Sequence, residues 1–226
     1  MESSASAGRM ASADVLTVLI GTVAVGMPFV LTLYAQQVLG YSALKFGVST
    51  VALGATAGAI TGQGAIGKAG FRPVAATGLA LMGAGSLVLT QVSVHGSYFP
   101  DIFFGLLLCG LGIGLAFVTA TVAALTGVAG HEAGLASGLS NTSLQIGTAL
   151  GVAIVSTVAV SRSQHYLAAH AAANPLAALT AGYQSAFLAC AVLAGIGLAL
   201  ALLLPGRPPK AAHRLPGPVP AASARD

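Results

Sequence analysis

The chain has 226 residues, of which 56% are hydrophobic and only 6% charged, and its net charge is +4. Soluble domains carry roughly 25% charged residues, so a chain of this composition cannot cover itself in water, and a mean hydropathy of +0.89 makes the lipid bilayer its expected solvent. A charge of +4 on so apolar a chain is no nucleic-acid signature; the few basic residues bear on orientation in a membrane instead.

Residues 1–13 read as a polar segment ahead of the first apolar run. They hold one basic residue, Arg9, together with Glu2, and Asp14 follows. The run after them is longer than the apolar core of a cleavable leader. Six runs are long and apolar enough to span, at 15–35, 46–66, 73–94, 101–125, 135–160 and 184–204. A helix needs about 20 mainly apolar residues to cross a hydrocarbon core of about 30 Å. Barrel strands are shorter and alternate in polarity, which these runs do not. The expected fold is an all-α integral membrane protein with a six-helix transmembrane bundle over 14–204, followed by a disordered tail at 205–226 whose composition is rich in Pro and Ala.

In chain order, the second run carries Gly54, Gly58 and Gly62 at successive i+4 positions, the fourth carries Gly110 and Gly114, and the fifth carries Gly147 and Gly151. Such spacing lets helix backbones approach closely, so these seven are predicted packing glycines. Cys109 and Cys190 lie inside apolar runs and read as small buried hydrophobes. The connection at 161–183 is the longest and contains QHYLAAHAAANPLAA, a candidate helical extension broken before Pro175. His95, His131, His165, His170 and His213 are scattered over connections and tail. Nothing in their spacing makes a metal site or a nucleophile–base pair, so neither an enzyme nor a metal or other cofactor is expected.

With six spans, one side of the membrane holds Arg9, Lys68, Arg72, Arg207, Lys210, Arg214 and Arg225, and the other holds Lys45 and Arg162. Basic residues concentrate on the cytoplasmic side, so both termini are expected in the cytoplasm.

The fifth run opens with GLASGLSNTSLQIGTALGVAIV, residues 134–155. At 100° per residue, Gly134, Gly138, Asn141, Gln145, Thr148 and Val152 share a narrow arc, away from Gly147 and Gly151. Lipid cannot satisfy the amides of Asn141 and Gln145, so the arc should face protein or a wet cavity. Two readings stay open on spacing alone. The amides either bond to neighbouring helices as structural glue, or line a pathway for a ligand together with Thr148.

The same stretch resembles the penultimate helix of the major facilitator superfamily, in its fourteen-span drug–proton antiporter branch. Three other pieces resemble that family in order: LTLYAQQVLGYSALKFG at 31–47, GKAGFRPVAATGLALMGAG at 67–85, and GLLLCGLGIGLAFVTATVAAL at 105–125. The likeness covers about 14–204 and implies the C-terminal six-helix half of the major facilitator fold. It implies a multi-pass protein of a bacterial-type plasma membrane that exports amphipathic or cationic small molecules in exchange for protons. It also implies a partner: an N-terminal half or a second copy. Of the family's cytoplasmic loop motif, Lys68, Gly70 and Arg72 match, and the acidic position falls on Gly67. The position ahead of Gln145, often Arg in that branch, is Leu144, and no Asp or Glu stands mid-span. The resemblance favours the pathway reading of Asn141 and Gln145. The alternative is a six-helix membrane protein that binds partners, or is truncated, and does not transport.

Overall fold

The computed structural model describes residues 2–40, 48–94, 102–125, 133–170 and 174–203. Lys45, His95, Asp101, His131, Glu132 and the tail with Arg207, Lys210, His213, Arg214 and Arg225 lie outside them. Among the described residues the elements are six helices: α1 Glu2–Gln37, α2 Val48–Ala69, α3 Phe71–Leu89, α4 Phe103–Leu125, α5 Ala133–Ala169 and α6 Pro175–Leu203. No strand occurs among the described residues. Five helices are apolar and long enough to cross a bilayer, and α2 falls short only in hydropathy. Its 22 residues give about 33 Å at 1.5 Å per residue, enough for the core, but glycine, alanine and threonine replace the larger aliphatics.

The helix ends differ from the apolar runs, for local reasons. α3 stops at Leu89 rather than running to Val94, because Thr90, Gln91 and Val92 donate to carbonyls three residues back and tighten the last turn. α6 starts nine residues before its apolar run. Asn174 Oδ1 accepts from the Leu176 N–H at 3.0 Å and Pro175 takes the first helical position, a strong start signal. α5 continues past Val160 to Ala169, so its 37 residues reach about 55 Å, well beyond a core of about 30 Å.

The bundle has two layers. α2, α4, α1 and α5 form one, and α3 and α6 back it. α1 packs on α5 and α6, just as α4 packs on α2 and α3, and α3 meets α6. This pairing is what a two-fold relation between α1–α3 and α4–α6 produces, the repeat pattern of many transporter folds. The core between the layers holds Tyr34, Met27, Leu31, Leu79, Met82, Leu106 and Phe187, all buried.

Buried Thr22, Thr119 and Thr180 and half-buried Thr32 each donate to the carbonyl four residues back at 2.7–2.8 Å, which makes threonine acceptable in an apolar helix; the buried Ser86 Oγ has no such bond. At the end carrying the 38–47 connection, longer side chains tie helices together. Tyr34 donates to Ser93 O at 2.6 Å, Tyr183 to Gln37 Oε1 at 2.8 Å, and Gln184 to Val92 O at 2.7 Å. Tyr34 and Tyr183 meet edge-on at 6.2 Å.

Candidate functional site

The two crossings within the front layer are made by missing side chains. On α5, a Cβ at Gly147 would strike the Val18 backbone of α1, and one at Gly151 the Thr22 backbone. On the other pair, a Cβ at Gly114 would strike Ala55, one at Gly58 Leu111, and Gly54 and Gly110 face each other with 3.1 Å between a Cβ built on either and the other's Cα. Gly62 has the looser neighbour, the Leu115 side chain at 3.2 Å. Backbone contact of this kind leaves no flexible group to move aside. α1–α5 and α2–α4 are therefore two tight pairs, while α1 and α4 touch lightly where the pairs meet.

A cavity of about 170 Å³ opens there, at the end of the bundle opposite the 38–47 connection. α1 supplies Thr17, α4 supplies Phe117, Ala120 and Thr121, and α5 supplies Ser137, Ser140, Asn141 and Leu144. Five of these eight side chains are polar and none is charged. Thr121 donates to Phe117 O at 2.9 Å, which leaves its oxygen as an acceptor. The Asn141 side chain is exposed, and it can offer two donors and an acceptor.

Of the residues singled out on the polar arc, only Asn141 lines this cavity. Gln145 is exposed one turn further along, and Thr148 is half-buried beside α1, its backbone N 3.3 Å from a Cβ built at Gly21. The arc thus spreads over a cavity wall, an open face and a packed edge. Gly134 and Gly138 stand in open space, where a Cβ would meet nothing within 4 Å. Thr17, Phe117 and Thr121 were not singled out in the sequence; they lie in ordinary-looking apolar helices, and only the packing of α1, α4 and α5 brings them to Asn141.

The loop motif sits at the same end of the bundle. Lys68 is exposed in the last turn of α2, Arg72 half-buried in the first turn of α3, and Gly70 is the single residue between the helices. Its φ of 86° and ψ of 171° belong to a region open in practice to glycine alone, and its N–H closes α2 on Ile66 O at 2.9 Å. Gly67, at the position of the family's acid, is exposed with nothing near it.

A family model described as Major Facilitator Superfamily matches residues 8–152. Puromycin resistance protein pur8 of Streptomyces alboniger is 31% identical over 183 residues, covering 79% of this chain and 36% of that protein. Cephamycin export protein CmcT of Amycolatopsis lactamdurans is 31% identical over 202 residues, covering 88% of this chain and 39% of that protein. Multidrug resistance protein Stp of Mycobacterium tuberculosis is 30% identical over 135 residues, 59% of this chain and 25% of that protein. The chain spans between 25% and 39% of the length of these relatives.

Proposed function

The chain belongs to the major facilitator superfamily, and from that premise we propose that it forms the C-terminal six-helix bundle of a small-molecule exporter. The observation that carries this reading is the cavity between α1, α4 and α5, lined by five polar side chains and no charged one. In this fold two bundles rock about a shared site, and one bundle supplies one wall. The other wall would come from a complementary set of helices, in the same polypeptide, a separate chain or a second copy. Relatives named for puromycin resistance, cephamycin export and multidrug resistance support amphipathic, drug-like molecules as the cargo.

Proton coupling fits the same reading, with the proton carrier on the complementary helices. No Asp or Glu stands mid-span in this sequence, and a neutral amide cannot change its protonation at physiological pH. Asn141 would orient a substrate, with Gln145 and Thr148 further along the same helix. The seven-to-two split of basic residues supports a plasma-membrane orientation with the cavity, Lys68 and Arg72 toward the cytoplasm and Arg162 outside.

The test is puromycin accumulation in cells expressing this chain with and without a complementary N-terminal bundle, beside proton-driven uptake into inverted liposomes. Export only with both bundles present is expected. Proton-driven transport by this chain alone as a monomer would refute the shared-site reading. Orientation is checked separately with Arg162→Cys, expected to label from outside intact cells, and Lys68→Cys, expected to be protected; the reverse pattern overturns it.

A further inference from the structure

We propose that the cavity between α1, α4 and α5 is a ring-sized subsite that takes an aromatic ring bearing an uncharged hydrogen-bonding group. This deepens the exporter reading and rests on it, by naming what part of a substrate the site would hold. Size comes first. An apolar cavity of roughly 150 Å³ holds one benzene, and the volume here is about 170 Å³. That is room for one substituted ring, a part of a drug-sized molecule, whose whole site is at least about 300 Å³.

The lining then selects within that size. Phe117 and Ala120 of α4 and Leu144 of α5 supply the apolar part of the lining, and Phe117 offers an aromatic ring to an offset or edge-on partner. On α5, Ser137, Ser140 and Asn141 share one stripe with Leu144, and Thr17 of α1 and Thr121 of α4 complete the polar lining. Thr121 has spent its proton on Phe117 O, so it accepts, while Asn141 both donates and accepts. A carboxamide, with two donors and one acceptor, matches that set. A cation finds no counter-charge there, because none of the eight lining residues is ionised. Asp14, one turn before Thr17 on α1 and half-buried, is outside the lining.

The experiment uses the full chain in nanodiscs with Ser140→Cys as a reporter. Cys109 and Cys190 are 1% and 0% exposed and stay silent while the protein is folded. The rate of modification by a small neutral thiosulfonate, which forms a mixed disulfide and releases a sulfinate, is measured with benzamide, with benzamidinium, and with cyclohexanecarboxamide. Benzamide at ten times its half-protecting concentration is expected to slow the reaction about elevenfold, by simple occupancy. Gln145→Cys, outside the cavity, should be unaffected. The cation and the saturated ring should each need at least about tenfold more compound, and Asn141→Leu should cost benzamide a similar factor, the size of one lost hydrogen bond. No protection by benzamide overturns the subsite. Equal protection by benzamidinium overturns its neutral selectivity, as does protection that Asp14→Asn abolishes. Protection is read on this chain without transport. Protection without export by the assembled transporter therefore refutes the exporter reading alone, and export without protection refutes the subsite alone.

Discussion

Replacing Gly147 and Gly138 by alanine, one at a time, sets two identical substitutions on one helix against each other. Both lie in α5, and both gain the same helix propensity, up to about 1 kcal/mol in water. They differ in what the new methyl meets. At Gly138 it enters open space; at Gly147 it enters the Val18 backbone, which cannot rotate away. Forcing an extra methyl into a packed site costs about 1–3 kcal/mol. Because the propensity term is common, the difference between the two variants isolates that cost, about 2 kcal/mol at the centre of the range. For a chain of this size that is roughly 4–8 °C in unfolding midpoint at about 2–4 °C per kcal/mol. The protein carries its own reporter, since Cys109 and Cys190 are buried thiols that react with a fluorogenic maleimide once the bundle opens. Gly138→Ala is expected to match or exceed the wild type, and Gly147→Ala to fall below it. Equal midpoints would mean that α1 and α5 do not rest backbone on backbone, and the account of a rigid α1–α5 pair would be refuted.

Gly70→Ala is expected to lose about 1–3 kcal/mol through strain at a φ of 86°, read as a lower midpoint in the same thiol assay; an unchanged midpoint would mean that the α2–α3 link relaxes freely. Asn174→Ala should cost about 1 kcal/mol by removing the cap of α6, and Asn174→Asp should retain most of it. Tyr34→Phe combined with Tyr183→Phe removes two cross-helix hydrogen bonds and should cost about 2 kcal/mol, with faster hydrogen exchange at the ends of α1, α3 and α6 in mass spectrometry. Asn141→Ala, in an assembled transporter, should change preference among substrates at constant folded yield; parallel loss of yield and transport would return Asn141 to a structural role.

Six helices were legible because apolar length needs only composition. Their ends were not, because ends are set by single residues. The apolar run of α6 starts at Gln184, but the helix starts where Asn174 and Pro175 can cap it, and polar residues such as Ser161 and Gln164 continue α5 well past its last aliphatic. Hydropathy also understates α2, whose small residues serve contact with α4 rather than lipid. On the site, helical periodicity placed Asn141 on a polar arc, and the structure puts it on a cavity wall. It could not tell that wall from the packed edge holding Thr148, because both lie on one arc of the same helix, about two turns apart. Periodicity in α5 also says nothing of Thr17, Phe117 or Thr121, which sit on other helices and carry no local signal. Which helix α5 would rest against required the fold.

The glycine crossings have a mechanical consequence for the cavity. Its walls belong to two different clamped units: Thr17 and the α5 residues to one, Phe117 and Thr121 to the other. Within each unit the spacing is backbone against backbone, so no rotamer change can widen it. The gap between the units is the adjustable dimension. A group lodged in the gap acts as a shim, and its thickness sets the angle between two stiff halves. A flat ring and a bulkier one would hold the same bundle in measurably different postures before any second bundle engages it.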